Sequence, residues 1–301
     1  MDINPILLLA ALMVASTPIL LAAIGELVVE RAGVLNLGVE GMMITGAVCG
    51  YIVGHGTENP YIGFVGAAFA GAALSFVFAA LTQFLLTNQV ATGLGLTMFG
   101  LGLASLIGQG ATGSSDLIVG KLNLPIISDI PVIGRILFQH DPIVYVSLLL
   151  VAGTWWFLSK SRAGLILRAV GENHDAAHAL GYNVRLVRVL AILFGGACAG
   201  LAGSYISLVR VPQWIDGITS GAGWIALAIV VFASWNPWRL IAGAYLFGGV
   251  TVLQLNLQAE GLKIPTEYLS MAPYLATILV LVVIRAGRAP GSLGKSFHPS
   301  S

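Results

Sequence analysis

Long apolar runs, broken by glycine, proline or a few charges, occupy nearly the whole of this chain. They lie at about 5–25, 33–54, 61–87, 90–110, 143–159, 186–208, 222–235, 239–257 and 269–286, and a helix needs about 20 mostly apolar residues to cross a bilayer. Lipid offers no partners to backbone N–H and C=O groups, so runs of this length must close their own hydrogen bonds as helices. Only 9% of the 301 residues are Asp, Glu, Lys or Arg, against about 25% in a soluble domain. The expectation is an all-α polytopic membrane protein, a single transmembrane domain over 1–301 with about eight or nine helices crossing the membrane. The count turns on 222–257. The run 222–235 is short and Pro237 ends it, so the region reads as two spans or as one broken hairpin. The opening MDINPILLLAALMVA lacks the basic stretch of a cleavable signal peptide and reads as a retained first span.

Against this background, residues 159–188 form a polar island, SKSRAGLILRAVGENHDAAHALGYNVRLVR, with five of the 14 Lys and Arg residues. Placing the island in the cytoplasm and alternating the spans puts ten of the 14 on that side. It leaves Lys121, Arg135, Arg210 and Lys263 outside, which obeys the positive-inside rule. The N-terminus is then outside and the C-terminus cytoplasmic. The stretch 111–142, with Pro125, Pro131 and Pro142, becomes the one long external connection.

Within the island, at about 160–185, the signals for a short capped helix converge. Asn173 suits the N-cap, Asp175 adds favourable charge to the first turn, and Gly181 suits the position just past Leu180. A helix of about eight residues, about 12 Å long, is not stable alone. Ala176, Ala177 and Leu180 read as its apolar face, with Arg168 and Glu172 at the border, so something must cover it. A second helical piece over about 162–170 precedes Gly171. His174 and His178 have the i, i+4 spacing of metal ligands but no third ligand, and read as solvated. No metal or cofactor site is expected.

Other breaks are candidates for a solute pathway. In GELVVERAGVLNLGVEG at 25–41, Glu26, Glu30 and Arg31 read as cytoplasmic-boundary residues, while Asn36 and Glu40 interrupt an apolar run. Asn88 stands in a tight polar break between two spans. Around QWIDGITSGAGWIALAIVVFASWNP at 213–237, Trp214, Trp224, Trp235 and Trp238 match an aromatic belt, and the glycine-rich part suits a re-entrant loop. Gly46, Gly50 and Gly54, with Gly196 and Gly200, read as packing seams whose partner helix is open. Cys49 and Cys198 sit in apolar runs, and a disulfide between them is not expected. APGSLGKS at 289–296 misses the first glycine of a phosphate-binding loop and lies in a tail without flanking strand or helix. No nucleic-acid partner is implied, and no catalytic set is assembled.

These stretches resemble a known family. RAVGENHDAAHALGYNV is similar to the cytoplasmic coupling segment of permease subunits of ABC importers. GVLNLGVEGMMITGA, NQVATGLGL and GWIALAIVVFASWNP resemble the branch with branched-chain amino-acid, ribose-type sugar and nucleoside permeases, closest to nucleoside or simple-sugar permeases working with basic-membrane-lipoprotein-type binding proteins. At His174–Asp175 the chain departs from the Pro-containing form of that segment, which leaves the helix start open. The resemblance implies a type II ABC importer-like permease in the bacterial plasma (inner) membrane, carrying a nucleoside by alternating access. Ribose-type sugar and branched-chain amino acid are its alternatives. It also implies separate ATP-binding subunits docked on Arg168, Glu172, Asn173, Ala176, Ala177, Leu180 and Gly181. A second, paralogous permease and an extracytoplasmic binding lipoprotein complete the set. Asn36, Glu40, Asn88 and Trp224 are the pathway candidates by residue type. The rival class is an ion-coupled secondary transporter with Glu40 as its carboxylate.

Overall fold

The computed structural model describes residues 5–111, 117, 119–122, 134, 137–259, 271, 275, 278, 282 and 288–298. Regular structure among them is helical. The helices are α1 (Pro5–Arg31), α2 (Val39–Gly56), α3 (Pro60–Ala79), α4 (Gln89–Gly108), α5 (Pro142–Lys160), α6 (Arg162–Glu172), α7 (His174–Ala179), α8 (Val184–Tyr205), α9 (Ala222–Phe232) and α10 (Pro237–Ala259). A π-helical turn extends α3 over Ala80–Phe84 and α8 over Ile206–Arg210.

Six of the described stretches are long and apolar enough to cross a membrane: Ile6–Arg31, Pro60–Phe84, Gln89–Gly108, Pro142–Lys160, Val184–Arg210 and Pro237–Gln258. α2 is the buried centre. It packs against α3, α4 and α8, and α1 and α3 close around α8. α9 has 11 residues, about 17 Å of helix against a hydrocarbon core of about 30 Å. Of the two readings of 222–257, the structure favours the broken one: α9 is a half-helix, and only α10 is long and apolar enough to cross. The run 269–286 lies outside the described residues except at 271, 275, 278 and 282. Most of the stretch 111–142, expected to be the external connection and including Pro125 and Pro131, is outside them as well.

The glycine seams find their partners inside the chain. A Cβ on Gly46 would fall on the backbone of Gly200, and one on Gly71 would fall on the Gly196 carbonyl. α2, α3 and α8 thus meet backbone to backbone, the way helices associate where no water drives them together. At the far end of α8, the Tyr205 hydroxyl donates to Asp141 Oδ2 at 2.7 Å. The other oxygen of Asp141 caps α5 by accepting from Ile143 N and Val144 N. Cys49 and Cys198 are free thiols.

Candidate functional site

The island folds into a platform of two short helices. Ser161 Oγ caps α6 by accepting from Gly164 N at 2.9 Å. The chain then turns through Asn173, in extended backbone, whose Oδ1 accepts from Ala176 N at 2.9 Å and starts α7. α7 stops at Gly181, which adopts φ +87°. Gly181 N bonds His178 O at 2.8 Å and Tyr182 N bonds Ala177 O at 3.2 Å, the paired closure that uses a left-handed residue just past a helix. His174–Asp175 thus stand in the first turn without proline.

One apolar face was expected, and two are present. Ala176 and Leu180, one turn apart, point outward, and Leu180 is 76% exposed. Ala177 is 2% exposed; it lies a third of a turn round the helix and packs on Val170, Val184 and Phe297. Ala177 is therefore corrected from a docking residue to an internal one. Glu172 and Asn173 are exposed and Arg168 is half-buried; Arg168 and Glu172 both lie close enough to act on the Arg31 charge. His174 is corrected too, since it is buried rather than solvated. Burial and the adjacent Arg188 hold its pKa below the usual histidine range. A neutral ring accepts at Nδ1 from Arg188 Nη2, 3.1 Å away. His178 stays exposed, its ring edge-on to Phe297. Among the described residues no cluster of three or more His, Cys, Asp or Glu could hold a metal.

Two features of this platform went unread in the sequence. One is Arg188, 0% exposed one turn into α8. Its Nε donates to Ala32 O at 3.2 Å and its Nη1 to Lys295 O at 3.0 Å. The signal was an arginine between Val187 and Val189 at the head of an apolar run, where a charge must find buried partners. The other is the segment 288–298, which straps across the platform. Ser292 N donates to Gly171 O at 2.8 Å, and His174 N donates to Ser292 Oγ at 3.1 Å. Phe297 is 4% exposed beneath α7. Gln89, the first residue of α4, reaches Lys295 O with Nε2 and accepts from Leu35 N at 2.9 Å.

The breaks at 33–41 and 213–237 meet in the membrane domain. The Glu40 carboxylate, 4% exposed, accepts from Thr219 Oγ1 at 2.5 Å, Gly221 N at 2.9 Å and Gly223 N at 2.7 Å. It caps α9, whose free N–H groups and dipole favour an anion. At its other end α9 turns through Ser234 and Trp235, both at positive φ (51° and 55°), a backbone that residues with side chains seldom adopt. Arg31 Nε and Nη2 hold the Trp235 carbonyl at 3.1 and 2.8 Å, and Glu30 Oε2 accepts from Trp235 Nε1 at 2.5 Å. Trp235 thus meets the end of α1, and Glu40 lies at the opposite end of α9, about 17 Å away along the helix.

Glu26 and Glu30, read as boundary residues, are each 1% exposed and enclosed by the protein. Glu26 Oε1 accepts from Asn36 N at 3.2 Å. Asn36 is fully buried and turns its Oδ1 onto Gly38 N at 2.9 Å, shaping the approach to α2. Trp224 is half-buried in the first turn of α9 and packs against the core. Asn88 is exposed at the start of α4, where it accepts from Ala91 N at 3.0 Å. The structure therefore brings Asn36, Glu40 and Trp224 to the junction of α2, its approach loop and α9, and leaves Asn88 outside it.

Residues 8–284 match the family model described as the permease component of branched-chain amino acid transport systems. The chain is similar to a putative glucose ABC transporter permease of Haloferax volcanii, 40% identical over 91% of this chain and 90% of the relative. It is similar to a guanosine ABC transporter permease of Bacillus subtilis, 33% identical over 93% of each. A nucleoside ABC transporter permease of Lactococcus lactis is 31% identical over 98% of this chain and 95% of its own.

Proposed function

This chain belongs to the permease-component family of branched-chain amino acid transport systems, and from that premise we propose that it moves a nucleoside across the plasma membrane by alternating access, driven through α7. The coarser statements need no proposal. It is a multi-pass membrane permease of the ABC type and not an enzyme, with ATP hydrolysis in a separate subunit.

The observation that carries the reading is the outward face of α7. A capped six-residue helix leaves Leu180 76% exposed beside Ala176, on the basic side of the molecule. A six-residue helix has little stability of its own, so a rigid mount and an apolar outer face together suit a contact that is pushed. ATP-binding subunits dock there on Ala176, Leu180 and Gly181, bordered by Arg168, Glu172 and Asn173. This side is cytoplasmic, with the N-terminus outside. A second, paralogous permease completes the membrane core, and an extracytoplasmic lipoprotein delivers the solute. The solute passes beside the start of α9, where Trp224 keeps part of its ring free and Asn36 and Glu40 hold the lining elements in place.

Gly181→Trp tests the coupling. A side chain at φ +87° costs about 1–2 kcal/mol of local strain, and its Cβ would meet nothing within 4 Å in this chain. The expected result is a permease that still reaches the membrane and retains ATP hydrolysis but loses most solute uptake. Normal uptake would remove α7 from the coupling path.

The nucleoside reading rests on the two relatives named for nucleoside and guanosine. A sugar is the second reading, favoured by the glucose permease at 40% identity. The reconstituted complex, given labelled guanosine, glucose, ribose and leucine in turn, is expected to take up guanosine saturably. Saturable uptake of glucose alone would give the solute to the second reading.

A further inference from the structure

We propose that the segment 288–298 is the mechanical mount of α7, and that Phe297 is the positioning residue through which displacement of α7 reaches the membrane helices. This rests on the reading of α7 as the coupling helix.

α7 is too short to push on its own, and little else supports its inner side. Val170 of α6 and Val184 of α8 flank Ala177, and Phe297 fills the space between them. The Phe297 ring sits edge-on to both histidines of α7, with centroids 5.5 Å from His174 and 5.2 Å from His178. An aromatic ring packed at this density is stiff, so a push on α7 is passed to the ring rather than absorbed.

From the ring the connection runs along the strap by backbone groups. Ser292 clasps both sides of the α6–α7 bend, donating to Gly171 O and accepting from His174 N. Lys295 O then gathers Arg188 of α8 and Gln89 of α4. Arg188 reaches on to Ala32 at the end of α1, and Gln89 reaches on to Leu35. Leu35, on the approach to α2, is therefore two hydrogen bonds from the strap, and the Glu40 tie to α9 follows five residues further along the chain. The strap uses its main-chain N–H and C=O for these ties and its one large buried side chain for the wedge. The glycines of the strap permit close approach, as at Gly291, where a Cβ would meet Glu172 O at 2.6 Å.

The test uses the full permease with its ATP-binding partner in proteoliposomes. Three quantities are read: ATPase retained on the permease, ATP hydrolysed, and uptake of labelled guanosine, or of glucose if that is what the wild type carries. Phe297→Ala is expected to keep the ATPase bound and hydrolysing while solute moved per ATP falls on the order of fivefold, the size of effect seen along packed connections. Phe297→Leu, which refills most of the space, is expected to recover at least half of the ratio. Where Phe297→Ala does not assemble, Phe297→Leu combined with Ser292→Ala carries the same expectation. A wild-type ratio in Phe297→Ala, or in that double variant, overturns the mount. An ATPase that fails to bind the wild-type chain, or binds without touching Leu180 in a cysteine cross-linking trial, instead overturns the docking reading beneath it.

Discussion

Glu40→Ala is expected to cost the protein a large part of its stability and to abolish transport. Three donors, the buried Thr219 Oγ1 and Gly223 N and the half-buried Gly221 N, converge on that carboxylate. Each donor stranded without water costs about 1–3 kcal/mol, and a side-chain cap on a helix start is itself worth about 1 kcal/mol. The N-terminal end of α9 would also lose the anion that its dipole favours. Glu40→Gln keeps one acceptor oxygen but turns an NH2 group toward donors, so it is expected to fall between the two. Thermal denaturation of the detergent-purified complex reads the difference directly. Equal melting temperatures for wild type and Glu40→Ala would show that α9 is held by something other than this carboxylate.

Gly200→Leu is expected to prevent assembly altogether. A Cβ at Gly200 would fall on the Ala67 carbonyl, and Gly46 and Gly71 both approach the same residue from α2 and α3. These are backbone contacts, so no rotamer change relieves them, and overpacking beyond the first atom must push two helices apart. Gly102→Leu in α4 is the matched control, because nothing lies within 4 Å of a Cβ there. Size-exclusion of fluorescently tagged protein should show a sharp peak for Gly102→Leu and aggregate for Gly200→Leu. Two similar sharp peaks would mean that the α2–α3–α8 seam is not close-packed.

Much of the architecture was legible before any coordinates. Apolar length marked the helices, and Asn173 and Gly181 marked α7 because caps are local: each bond spans five residues or fewer. The faces were less legible. In water, an apolar stripe shows which side of a helix turns inward. In lipid both sides are apolar, so α1 and α2 do not announce their partners, and Glu26 and Glu30 gave no sign of being enclosed. Ala176 and Ala177 are the same residue type at adjacent positions, and only the packing of Val170, Val184 and Phe297 decides which is covered.

The sequence by itself determined that this chain is a helical membrane domain, where its polar platform lies along the chain, and how α7 begins and ends. These follow from hydrophobic length, charge placement and capping, all properties of short stretches. The tertiary structure decided that α9 is a half-helix capped by Glu40, that Arg188 joins α7 to α1, and that 288–298 straps the platform together. Those ties pair residues far apart, such as His174 with Ser292, 118 positions away. The physical reason is that hydrogen-bond partners at that distance are chosen by packing, which no local pattern encodes.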